Sequence, residues 1–140
     1  MTTTREFDAD FPLRGITLLI ADDEFRLRQI VVMMAEELGA RVLAVDSGEA
    51  AVETYSKQHS EIDLILLDLR MNGMGGEAAF HRIREFDPNA RIVLSSGIRP
   101  DEELVATIQR EGGDFIEKPF DMDMLGKTLS RVARQPTTSL

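Results

Sequence analysis

The 140-residue chain contains no cysteine. Disulfides and thiolate metal sites are therefore excluded, and the absence fits a reducing cytosol. Positive charge is scarce: 16 Lys and Arg stand against 25 Asp and Glu, for a net charge of −9 and a pI of about 4.7. Direct nucleic-acid binding needs a basic face that neutralises phosphates, so it is not expected. Metal cations and basic partner surfaces are compatible with this charge. Long apolar runs are also missing. Nothing approaches the ~20 residues of a membrane span, and the opening "MTTTREFDADFPLRG" lacks the apolar stretch of a signal peptide. The expectation is a cytoplasmic protein without a membrane partner.

Hydrophobic residues make up 43% of the chain, enough for a real core, and the length suits one domain. Residues 1–14 read as an N-terminal extension, 15–134 as the folded domain and 135–140 as a tail. Within the domain, short apolar runs alternate with helical patterns. The runs are "ITLLIA" (16–21), "RVLAV" (41–45), "IDLILLD" (62–68), "ARIVLSS" (90–96) and "DFIEKP" (114–119). The first helical segment places Leu27, Ile30, Val31, Met34 and Leu38 at helical spacing, and Gly39 follows as a stop. Asp46 and Ser47 are both good N-caps for the second helix. "EAAFHRIREF" reads as the third helix. "PDEEL" opens the fourth with a Pro and acids that suit a helix N-terminus. Met124, Leu125, Leu129 and Val132 form one expected stripe on the fifth.

Strand–helix repeated five times, with near-continuously apolar strands, predicts an α/β fold with helices on both faces of a five-stranded parallel sheet. The expected architecture is a doubly wound (βα)5 unit of strand order 2-1-3-4-5, flavodoxin-like. In such sheets the functional crevice lies at the carboxyl ends of the strands. The polar residues there are Asp22 and Asp23 after the first strand, Asp68 at the end of the third, Ser95 and Ser96 at the fourth, and Lys118 at the fifth.

Three carboxylates on one edge need a reason. Two of them ~4 Å apart repel by roughly 4 kcal/mol at an effective dielectric near 20. Such a group either raises its own pKa values or recruits a cation. Oxygen-only ligands in a partly open site suit Mg2+, which shares its shell with water and phosphate. With a fixed ammonium and a hydroxyl beside it, the set suits phosphoryl transfer, and one carboxylate can serve as the nucleophile.

In this order the motifs resemble the response regulator receiver domain of two-component signalling. The matching residues are Asp22–Asp23, Asp68 in "LILLDLRMNGMGG", Ser96 after "IVLS", Phe115 in "DFIEKPF" and Lys118–Pro119, over about residues 16–134. Each motif alone is weak, but their order along five strands is specific. The resemblance implies that Asp68 is the phosphoacceptor and that Asp22, Asp23, Asp68 and the backbone carbonyl of Arg70 hold Mg2+ or Mn2+. It further implies that Lys118 contacts phosphoryl oxygens, that Ser96 is a switch hydroxyl, and that the rotamer of Phe115 follows it. The Lys118–Pro119 bond is expected cis. The implied donor is a histidine kinase or histidine phosphotransfer protein, and the output is a changed surface on the fourth helix, fifth strand and fifth helix, read by an unknown downstream protein. Such a protein is a signalling switch with at most self-phosphorylation and slow self-dephosphorylation, and it is a monomer or a phosphorylation-dependent dimer.

Several residues have simpler readings. Asp63 starts the strand that Asp68 ends, ~17 Å away, so it lies at the wrong edge and reads as structural. Glu24 reads as the start of the first helix rather than a ligand. Phe115 alone reads equally as core. Ser95 stays open beside Ser96 because alternation lets only one face the site. Gly97 after Ser96 favours Ser96, since the family's hydroxyl is followed by a small residue. Asn72 stands where the family carries Pro, which implies a freer loop. "EGGDF" looks one residue shorter than the family's usual approach to the fifth strand. Two other classes compete: a haloacid-dehalogenase-type phosphatase and a flavin carrier. The first needs Asp-x-Asp where this chain has adjacent acids. The second needs a Ser/Thr/Gly-rich phosphate loop after the first strand. A receiver module cut from a larger hybrid kinase or transcription factor shares the chemistry.

Overall fold

The computed structural model describes residues 7–136. Five strands, β1 (Thr17–Ala21), β2 (Arg41–Val45), β3 (Leu64–Asp68), β4 (Ile92–Ser96) and β5 (Asp114–Glu117), alternate with five helices. The helices are α1 (Phe25–Glu37), α2 (Gly48–Gln58), α3 (Gly76–Phe86), α4 (Glu102–Arg110) and α5 (Met122–Ala133). All strand pairs are parallel, and the order is β2-β1-β3-β4-β5, as the pattern predicts. β3 is buried along its whole length, which is why its sequence shows no polar alternation.

Alternate residues of each strand feed two cores. Leu18, Ile20, Leu64, Leu66, Val93 and Ile116 pack with Val31 and Ala35 of α1 and Leu125, Leu129 and Val132 of α5. Leu19, Ala21, Ile65, Leu67, Ile92 and Leu94 pack with residues of α2, α3 and α4 on the other face. Each fully buried aliphatic side chain contributes roughly 1.5–3 kcal/mol. The helix starts follow local chemistry. Ser47, rather than Asp46, caps α2, its Oγ accepting from the Ala50 N–H at 3.0 Å. Asp101 and Asp121 cap α4 and α5 through the Glu103 and Met124 N–H groups.

Two sequence expectations shift. Leu13, placed in the extension, is fully buried, and its N–H donates to the Leu38 carbonyl at 2.9 Å. The core thus begins before residue 15. Ile30 and Met124, placed on core stripes, are both about half exposed (52%). A helix face wider than the sheet it covers leaves its margins in solvent. The α4–β5 connection is tight: Gly112 has φ +90°, and a Cβ on Gly113 would collide with the Ile92 carbonyl. Only two glycines fit that turn, which accounts for the unusual "EGGDF".

Candidate functional site

The carboxyl ends of β1, β3, β4 and β5 meet at one edge, as strand order requires. β1 delivers Asp22 and Asp23, and β3 ends on Asp68. Ligand atoms of the three carboxylates lie within 4.8 Å of one another. Lys118, after β5, reaches across: its Nζ lies 3.2 Å from Asp22 Oδ2 and 3.5 Å from Asp68 Oδ1. Asp22 is 4% exposed and Asp68 8%. The Lys118–Pro119 bond is cis.

The three acids are held differently. Asp22 is engaged on both oxygens: Oδ1 accepts the Glu24 N–H at 2.9 Å, and Oδ2 faces Lys118. The guanidinium of Arg28 donates to the Asp22 carbonyl at 2.8 Å. Asp23 accepts one bond among the described residues, from the Asn72 N–H to Oδ2 at 2.8 Å. Asp68 Oδ1 takes the Arg70 N–H at 3.4 Å and faces Lys118, while Oδ2 has no protein donor among the described residues. Burial pushes the Asp68 carboxyl above its ordinary range; Lys118 opposes that rise and Asp22 adds to it. Two buried anions with one cation between them leave negative charge in excess. The donor set is all oxygen, which fits a hard divalent cation such as Mg2+.

A groove of about 640 Å³ opens from these acids. Asp23, Asp68, Arg70, Ser96 and Lys118 line its polar end. Leu27, Ile30, Val31 and Met34 of α1, with Pro119 and Phe120, line its apolar end. Both serines are buried; Ser96 borders the groove, whereas Ser95 does not and pairs in register with Asp68. Ser96 Oγ accepts the Ile98 N–H at 3.1 Å. Phe115 is half-buried, packed against the α2–α3–α4 core and bordering a second, smaller groove with Met124 and Thr128. Asp63 sits at the opposite edge, where its Oδ2 accepts the Thr17 N–H at 2.8 Å. Glu24 is the N-cap residue of α1 and makes no side-chain cap bond.

The model of the response regulator receiver domain matches residues 18–130. The chain belongs to the response regulator receiver domain family. Its likeness to curated proteins runs the same way. It is 33% identical over 115 residues to the chemotaxis protein CheY of Bacillus subtilis, covering 81% of this chain and 94% of that one. It is 36% identical over 123 residues to the autoinducer 1 sensor kinase/phosphatase LuxN of Vibrio campbellii. That match covers 88% of this chain but only 14% of LuxN. Among solved structures, a CheY of Borrelia burgdorferi in a complex with CheX, BeF3 and Mg2+ superposes with a TM-score of 0.75. It is 29% identical and covers 82% of this chain and 87% of that one. A receiver protein of Sinorhizobium medicae gives 0.73 at 30% identity, over 84% and 94%. The receiver domain is thus a CheY-like component of two-component signalling, with an acidic pocket that suits phosphorylation on aspartate. None of its helices is long and apolar enough to cross a membrane, among the described residues.

Two features of this receiver site were not read from sequence. The Asn72 substitution was expected to free the loop after Asp68; instead its N–H bonds Asp23. Proline has no N–H to offer there, so the substitution itself was the available signal. Glu49 also holds that loop, accepting the Met74 N–H at 3.2 Å, and no local pattern marks a contact 25 residues apart.

Proposed function

We propose that this receiver domain accepts a phosphoryl group on Asp68 from a histidine kinase or histidine phosphotransfer protein. The observation that carries the reading is the convergence of Asp22, Asp23, Asp68 and Lys118 within one pocket. Asp22, Asp23, Asp68 and the Arg70 carbonyl would hold Mg2+, or Mn2+ in its place, and the bound ion supplies charge neutralisation for the transferring group. The residues do the rest. Asp68 attacks phosphorus through Oδ2, the oxygen with no donor among the described residues, forming the aspartyl phosphate as the phosphohistidine P–N bond breaks. Lys118, already fixed between Asp22 and Asp68, offsets charge on the phosphoryl oxygens. Ser96, whose Oγ accepts the Ile98 N–H, turns its hydroxyl to donate to a phosphoryl oxygen, and the half-buried Phe115 turns inward with it. A bond available in only one state biases the two-state equilibrium of α4, β5 and α5 by that bond's free energy.

The apolar end of the groove supports a docking partner beside α1. Ile30 lines it, and Phe25 and Met33 nearby are 59% and 64% exposed. Water attack on the aspartyl phosphate gives slow self-dephosphorylation. Arg70 and Ile98, each two residues past Asp68 or Ser96, flank that water; Ile98 has no group to position it, so a long-lived phosphoryl state is expected, read as slow loss of label, and decay unchanged when both are substituted would count against this. The decisive experiment presents a phosphohistidine donor to wild type and Asp68→Asn. Loss of label from the variant is expected; undiminished transfer would refute the assignment.

A further inference from the structure

The three acids do not have equal support. Both Asp22 oxygens are engaged, by a backbone N–H and by Lys118. One Asp68 oxygen is engaged, by Lys118 and the Arg70 N–H. Asp23 leaves the sheet on the loop before α1, and a single donor among the described residues orients it. That donor is the backbone N–H of Asn72, 49 positions away in sequence, at 2.8 Å from Oδ2. The Asn72 side chain itself makes no hydrogen bond among the described residues. The loop that carries this N–H is held independently. Glu49 of α2 accepts the Met74 N–H, Gly73 turns with φ +73°, and Gly76 packs so closely on the Asp68 carbonyl that a Cβ would collide with it. The donor is therefore anchored, and the carboxylate it meets has no other donor among the described residues.

We propose that the Asn72 backbone N–H is the positioning donor that sets the Asp23 carboxylate for divalent-metal binding. This inference rests on the metal-site reading above. Two physical effects combine. A fixed hydrogen bond to one carboxylate oxygen removes the rotational freedom a surface Asp would otherwise lose on coordinating a metal, and it presents the second oxygen to the pocket. The N–H also places a partial positive charge against the most open of three clustered anions, easing their assembly before the ion arrives. The requirement is for a backbone N–H, not for an Asn side chain. Asn72→Ala keeps the donor and Asn72→Pro deletes it at a position whose φ is not positive.

The test is a calorimetric Mg2+ titration of wild type, Asn72→Ala and Asn72→Pro. Asn72→Ala should bind within about twofold of wild type, and Asn72→Pro about tenfold more weakly. Equal or tighter binding by Asn72→Pro overturns the proposal. Amide hydrogen exchange of the wild type provides a readout that needs no variant to fold. The Asn72 N–H should be protected with and without Mg2+, and exchange as fast as an open loop overturns the proposal even if the proline variant is unstable. A wild type that binds no Mg2+ overturns the metal-site reading and this inference with it. Binding by wild type with no difference between the two variants overturns this inference alone.

Discussion

Asp68 and Asp114 are almost equally buried, at 8% and 9% exposure, yet their surroundings drive them in opposite directions. Burial raises the Asp68 carboxyl, and the neighbouring Asp22 raises it further against the pull of Lys118. Burial pushes Asp114 up as well, but donors outweigh it and hold the carboxyl below its ordinary range. Asp114 Oδ1 accepts from Gln109 Nε2 of α4 at 3.0 Å and from the Phe115 N–H at 2.8 Å, and Oδ2 pairs with Arg131 of α5. One carboxylate is fully satisfied by its own protein, and it binds α4, β5 and α5 together. The other is left with an oxygen that has no donor among the described residues and a like charge beside it. At matched burial, the supply of donors separates an acid its own protein satisfies from one it leaves short of donors among the described residues.

The contrast can be broken most sharply at Lys118. Lys118→Met leaves Asp22 and Asp68 without their shared cation and should slow phosphoryl acceptance by about 10²–10³-fold, measured with a phosphohistidine donor. The next effect is stabilisation by a bound divalent cation. Mg2+ at a hundred times its dissociation constant should stabilise the wild type by about 2.7 kcal/mol, read as a shift in denaturant midpoint. Asp114→Asn should leave that increment intact.

The two asparagine variants should then move stability in opposite directions. Asp114→Asn loses charge-assisted bonds to Gln109, Phe115 and Arg131 and should cost about 2 kcal/mol. Asp68→Asn removes a crowded buried anion and should stabilise the metal-free protein, measured by urea unfolding in a chelator. The smallest effect is acid dependence. Because the folded Asp114 carboxyl sits below its unfolded value, the unfolded chain takes up its proton first as pH falls. The Asp114 contribution is therefore complete above about pH 4 and lost as pH drops through the folded value. Asp114→Asn should flatten that part of the stability–pH curve.

The fold and the meeting of the candidate site residues were legible because both rest on simple periodicities. Five apolar runs separated by helical patterns gave the sheet, and a parallel sheet brings Asp22, Asp68, Ser96 and Lys118 to one edge whatever the loops do. Asp63 was separable from Asp68 by strand length alone. The parts that were not legible depend on contacts between distant backbones. Asn72 looked like a loosened loop, since a missing Pro says nothing of where the restored N–H points. Leu13 looked like an extension because its partners, among them the Leu38 carbonyl, lie in another element. Ile30 and Met124 fit a helical stripe, but periodicity does not say how far around the helix the sheet reaches.

The central claim is that Asp68 is the group that receives phosphate. It is tested most directly by incubating the protein with Mg2+ and a phosphohistidine donor, then mapping the modification by peptide mass spectrometry. The account predicts a single phosphoryl group, labile to hydroxylamine as an acyl phosphate should be, on the peptide carrying Asp68. A phosphoryl group found on any other residue, with Asp68 unmodified, would contradict it.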